Sequence, residues 1–349
     1  MTRARLSRAI AIFLVGMLLV VALAAACGSD ATTKAGQAEK EPGNLIIYSG
    51  REEKLIGPII DQFKQATGID VGVKYGKNPS LVATIEEEGN NSPADIFFGS
   101  DPGSLGALQH RLVLLPDTIL NRVPSAFRSR EGKWVGISGR SRVIVYNTEK
   151  LTEADLPDSI FDFTDPKWKG RIGWAPTNGS FQTFVTALRK AEGEDAARQW
   201  LEDIQANDPK VYPKNTPIVQ AVADGEIDVG FVNHYYLFRF LAEEGESFKA
   251  RNYYLKGGDP GAIVLVAGAG ILDTSNNREN AEKFLGFLLS TVAQQYFASQ
   301  TFEYPLVEGV KINPLLVPLS EIEVPDLDLS QLEDLEATIE LLRDTGVLP

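Results

Sequence analysis

From residue 44 onward, apolar positions recur in two rhythms that divide the chain into strands and helices. Leu45-Ile46-Ile47-Tyr48 is a continuous apolar run that fits a buried strand, and after Ser49-Gly50 the positions Leu55, Ile56, Ile59, Ile60 and Phe63 return at helical spacing. Thr67-Gly68 stops that helix. Ile69 to Tyr75 then reads as a second strand, 79–88 as a helix and Ala94 to Phe98 as a third strand. Pro58 lacks a backbone donor, which predicts a separate or kinked first turn. The alternation resumes with a strand from Val143 to Tyr146, helices over 180–192, 194–206 and 216–224, and a strand from Ile227 to Val232. A run from Ala262 to Leu272 is long enough to cross between lobes, helices follow over 277–289 and 291–299, and Ser330 to Arg343 reads as a terminal helix. Alternating elements of this kind predict an α/β fold with mixed, mostly parallel sheets covered on both faces. Two lobes joined by crossing strands leave a cleft at the carboxyl ends of the sheets, where ligands bind.

The first 26 residues have neither rhythm. Arg3, Arg5 and Arg8 precede an uncharged, mostly apolar stretch from Ala9 to Ala26, which reads as a secretory signal, with a retained anchor as the alternative. Cys27, the only cysteine, follows small residues at the end of that stretch and resembles the lipidated cysteine of a bacterial lipoprotein signal, although Ala24 stands where Leu is more usual. Residues 27–43 are small and charged, without apolar periodicity, and read as a flexible tether.

Composition narrows the chemistry. One cysteine excludes a disulfide framework or thiolate cluster, and two histidines exclude a three-histidine metal site, so any metal must be held mainly by oxygen. The formal charge of −13 becomes −16 once the three leader arginines are removed, and it argues against a nucleic-acid partner. Asn233-His234-Tyr235-Tyr236 follows directly on a strand. Neighbouring strand residues face opposite ways, so the two tyrosines converge only if the chain turns there. A pair of phenolates suits a hard trivalent cation such as Fe³⁺. Tyr253-Tyr254 is a second such pair with no assigned role, so core or rim aromatics are the alternative.

Several motifs share one likeness. Leu45 to Gly50, Ser92-Pro93-Ala94-Asp95-Ile96-Phe97-Phe98, Ile137 to Asn147, Pro166 to Gly173, Tyr212 through Asn233 to Tyr236, Asp259-Pro260-Gly261-Ala262 and Glu303-Tyr304-Pro305-Leu306 resemble, in this order, the substrate-binding proteins of bacterial ferric-iron ABC importers. The resemblance implies a two-lobed periplasmic-binding fold of type II. Lobe 1 would comprise residues 44–141 plus 267–315, lobe 2 residues 142–266, and a C-terminal extension residues 316–349. It further implies capture of Fe³⁺ with a synergistic anion, phosphate or carbonate, and delivery to the transmembrane subunits of an ABC permease. The protein would be a monomer on the outer face of the membrane or in the periplasm, held by a lipid anchor, with no catalytic chemistry.

Tyr235 and Tyr236 fall on the family's tyrosine ligands, and Glu52 on a position that carries a histidine ligand in members with a similar first loop. A carboxylate there is a sensible oxygen donor, or else a residue favouring the positive end of the next helix. Ser100 stands where the family often has a glutamate ligand, which leaves Asp101 as either a substitute ligand or a helix cap. Asn178, Gly179 and Ser180 match the anion-binding turn, with a plain helix cap as the alternative, and Asn215 and Asn233 match further anion contacts. Arg140 and Arg142 can face one side of their strand, to hold the anion or to close a hinge salt bridge. His234 falls on a non-ligand position, and His110 reads as a surface residue. Two rivals remain at this level: the same fold with another cargo (phosphonate, thiamine, polyamine), favoured by Ser100, and a hydrolase with Glu52 and Asp101 as acid and base.

Overall fold

The computed structural model describes residues 43–314 and 316–349. The leader, Cys27 and all but the last residue of the tether lie outside the described residues.

In chain order the elements are β1 (Asn44–Ser49), α1 (Glu53–Thr67), β2 (Asp70–Tyr75), α2 (Asn78–Glu88), β3 (Ile96–Gly99), α3 (Pro102–Ala107), α4 (Asp117–Leu120) and β4 (Val135–Asn147). The chain continues through β5 (Ile172–Trp174), α5 (Gly179–Glu192), α6 (Glu194–Ala206), β6 (Lys210–Val211), α7 (Asn215–Ala223), β7 (Val229–Asn233), α8 (Tyr235–Glu244) and β8 (Ala250–Tyr253). It closes with β9 (Val264–Ile271), α9 (Arg278–Leu288), α10 (Thr291–Tyr296), β10 (Tyr304–Pro305) and α11 (Leu335–Asp344).

The architecture is α/β and two-lobed, organised by β4. Residues 135–141 of β4 pair with β9, and beyond β9 lie β3, β1 and β2, with β10 on the other side of β4. Residues 142–147 pair instead with β7 and β8, and β5 and β6 follow β7. The strand therefore changes sheets between Ser141 and Arg142. The βα units pair in parallel, and antiparallel pairing enters wherever β4 or β9 joins them, because these long strands return against the local direction. All eight residues of β9 stay in the first sheet, with Val264 opposite Ser141.

β4, α1 and α10 depart from what the apolar pattern predicts. β4 begins at Val135, eight residues before the expected strand, and is buried along its whole length. Gly136, Ser138, Gly139, Arg140, Ser141 and Arg142 hid it, since a strand buried on both faces has no polar/apolar alternation to read. α1 runs unbroken through Pro58, which costs one bond near the helix start, where burial of Ile56, Ile59, Ile60 and Phe63 holds the helix. α10 ends at Tyr296 and passes into a wide π turn (Phe297–Thr301), stopped by Phe302 in the left-handed region at φ 57°.

Candidate metal centre

At the end of β7 the chain enters α8 at once, and that is the turn the tyrosine pair requires. Tyr235 and Tyr236 occupy its first two positions, with ring centroids 4.4 Å apart and planes inclined by 28°. Tyr235 is buried and Tyr236 half-buried. Burial, the neighbouring Tyr235 and a hydrogen bond with it push the Tyr236 phenol well above its ordinary pKa, while Arg239 and Arg140 pull it back.

Arg239, one helical turn on, lies 5.2 Å from each tyrosine ring centre. Sequence reading passed over it, although the i+3 and i+4 spacing to the tyrosines would have placed it on their face once the helix start was known.

Glu52 precedes α1 and is exposed, paired with Lys54 at 2.8 Å. The hydrogen bond from Lys54 lowers its pKa most, and the charges of Lys54, Arg239 and Arg51 add to this, so the group stays an anionic oxygen donor. Asp101 is engaged differently. One oxygen accepts from the Ser104 amide at 2.8 Å and caps α3, and the other accepts from the Asn78 side-chain amide. Asn78 also donates to the Ser100 hydroxyl at 2.8 Å. Gly50 leaves room for Asn78, since a Cβ there would lie 1.5 Å from its side-chain oxygen. The loop at 100–101 is thus a closed network, and Asp101 would have to give up a cap to reach a metal.

On the opposite sheet, Asn178 caps α5, accepting from the Ser180 amide at 3.0 Å and its hydroxyl at 2.6 Å, with Gly179 exposed beside it. Asn215 accepts from the Asn233 amide at 2.9 Å, and the Asn233 side-chain oxygen accepts from Arg142 Nη1 at 3.2 Å. Arg142 also lies over the Phe184 ring of α5, at 5.4 Å. The parallel pairing of β5 with β7 brings the 175–178 turn and the tyrosine pair to one edge, at the carboxyl ends of these strands.

Positive charge is buried here in excess. Arg51, Arg140 and Arg142 are all almost fully buried, whereas the carboxylate among them is Glu303 alone. Arg140 and Arg142 make no ion pair among the described residues, so a hinge salt bridge, the alternative to holding an anion, is not what holds them, and Arg140 keeps a buried Nε without a partner. Burial pushes the Arg142 guanidinium down to about 10, against the opposing pull of the two phenols. Buried charge without a partner costs several kcal/mol.

His234 is a structural residue. Fully buried, it accepts from the Ser141 amide at Nδ1 (3.1 Å) and donates from Nε2 to the Phe302 carbonyl (2.8 Å). His110 is exposed and pairs with Glu86 at 3.2 Å. No cluster of three or more His, Cys, Asp or Glu among the described residues could hold a metal. Surface hollows of about 850 Å³ between α1 and α10 and about 530 Å³ near Lys150 and Lys249 do not include the tyrosines.

The sequence profile of the family described as bacterial extracellular solute-binding protein matches residues 91–328. The major ferric iron-binding protein of Neisseria meningitidis serogroup B is 37% identical over 312 residues, which cover 87% of this chain and 93% of that protein. The iron-bound HitA structure from Pseudomonas aeruginosa superposes with a TM-score of 0.80 at 35% identity, covering 87% of this chain and 100% of that one. A Trichodesmium protein in complex with iron and citrate gives 0.78 at 31% identity, over 87% and 99% of the two chains.

Proposed function

Since the chain belongs to the bacterial extracellular solute-binding proteins, among relatives that bind ferric iron, we propose that it captures Fe³⁺ with an anion and delivers it to an ABC permease from a lipid anchor at Cys27. It is a ferric iron-binding protein of transport, not an enzyme. Tyr235 and Tyr236 supply phenolate ligands, and Glu52, an ionised carboxylate within the field of Arg239, is the third donor. Asp101 is the weaker candidate, because both of its oxygens already have partners. Arg140 and Arg142 attract the anion, phosphate or carbonate, and the turn at Asn178, Gly179 and Ser180 with Asn215 and Asn233 frames its place. Closing the two lobes would bring the Glu52 loop against the tyrosine pair.

The observation that carries this reading is the stacked tyrosine pair at the start of α8, set among buried arginines. The test is optical. Loaded with ferric citrate, the purified protein is expected to show a visible phenolate-to-iron charge-transfer band, lost in Tyr235→Phe/Tyr236→Phe. A colourless protein that copurifies with an organic solute would turn the assignment to another cargo on the same fold.

A further inference from the structure

The segment Glu303-Tyr304-Pro305-Leu306 belongs to the family likeness, yet none of its residues is among the candidate ligands. Glu303 is 1% exposed. Its two oxygens lie 2.8 and 2.9 Å from Nη2 of Arg51, and one of them accepts from the Ser138 hydroxyl at 2.6 Å. The residues on either side of Glu303 hold the other half of the site. Phe302 presents its carbonyl to His234 Nε2, and the Tyr304 ring lies 4.6 Å from the His234 ring, tilted by 31°. One tripeptide therefore grips the residue before Glu52 and the residue before Tyr235. Phe302 keeps a left-handed backbone at φ 57° that bulky side chains rarely adopt, and its carbonyl accepts from His234.

Arg51 has a buried Nε without a partner, and it lies within the field of both tyrosines as well as that of Glu303. Without the Glu303 carboxylate this buried guanidinium would have no ion-pair partner, while it stands next to Glu52 in the chain and within the field of both tyrosines. We propose that Glu303 is a positioning residue for iron: by holding Arg51 it confines that positive charge and keeps it from competing with the cation at Tyr235 and Tyr236. This inference rests on the ferric-iron reading above.

A charge near the bound iron acts on it in a direction that depends on its sign, whereas a packing defect does not. In the ferric-loaded protein, Glu303→Gln adds one net positive charge beside the metal. It is expected to raise the Fe³⁺/Fe²⁺ potential and to lower Fe³⁺ affinity, read by citrate competition, by about tenfold or more. Arg51→Gln removes a positive charge and is expected to lower the potential. The double variant, with a neutral amide pair, is expected to return both readouts to within about threefold of the parent. Each variant that folds, judged by near-ultraviolet circular dichroism, is an independent test. A shift of the same sign in both single variants, an unchanged Glu303→Gln, or a double variant as impaired as Glu303→Gln overturns the proposal while the parent's colour still stands. A parent that takes up no coloured iron overturns the ferric reading and this inference with it.

Discussion

A phenol that burial has pushed up is a neutral group at physiological pH, and it becomes a ligand only by giving its proton to solvent as the cation arrives. The sign of the pH dependence follows. Each ligating tyrosine releases one proton, so Fe³⁺ affinity falls as pH falls, by about tenfold per pH unit per tyrosine while the free phenol stays protonated. Competition against a chelator of known protonation between pH 8 and pH 6 is expected to give a slope approaching two for the native pair and one for Tyr236→Phe. His234 titrates against stability rather than affinity. Burial lowers its pKa to about 4, against the opposing pull of its hydrogen bonds with Phe302 and Ser141. With the folded value below the unfolded one, the unfolded chain takes up the proton first as pH falls below about 6.5, and stability is lost over that window down to about pH 4. Between pH 7.5 and 5 this loss amounts to about 2 kcal/mol. Urea denaturation of the native protein and of His234→Gln over this range is expected to show a shallower pH dependence in the variant.

At the scale of elements, the C-terminal segment joins helices that follow candidate site loops. Its 3₁₀ turn (Leu329–Glu333) packs on α3, which Asp101 caps, and α11 packs on α5, which Asn178 caps. Arg189 of α5 donates to the Asp334 carbonyl and the Thr338 hydroxyl, and Thr338 and Thr186 share a buried 2.8 Å hydrogen bond. The terminal helix expected from Ser330 is broken at Asp334, where these contacts turn the chain. The approach to α3 is close enough to need glycine: a Cβ at Gly103 would lie 2.3 Å from the Leu332 carbonyl oxygen, a backbone atom with little room to yield. Gly103→Ala is expected to destabilise the fold by about 1–3 kcal/mol, seen as a lower denaturation midpoint with the slope unchanged.

For the whole molecule, the change of sheets within β4 sets where movement can occur. Arg140 and Arg142 stand on either side of the Ser141/Arg142 changeover, and His234 bonds Ser141 through both its amide and its ring. The tyrosine pair therefore lies beside the changeover, while the Glu52 loop extends from the first sheet. If iron and anion close the lobes around this point, small-angle scattering is expected to show a smaller radius of gyration for the ferric form than for the stripped protein. Tyr235→Phe/Tyr236→Phe should not respond to ferric citrate. An equal radius with and without iron in the coloured protein would mean that capture does not depend on closure.

Much of this was legible in the order of residues alone. The βα rhythm of the first lobe, the paired helices α5 and α6 and the strand leading into Asn233 could all be read because one-sided burial writes a period into the sequence. The restriction of metal chemistry to oxygen followed from counting one cysteine and two histidines. What stayed hidden was whatever depended on burial from both sides or on partners far apart in the chain. β4 is buried along its whole length yet carries arginines and glycines, so no alternation marks it, and Glu303 meets Arg51 across 252 positions. Neither Asp101 nor Asn178 could be separated into ligand or cap by residue type, since the same oxygen serves both purposes; only the folded chain shows where each one points. The tyrosine pair was visible as a donor pair from its chemistry, but the excess of buried positive charge around it exists only in three dimensions, where charges from distant segments are removed from water together.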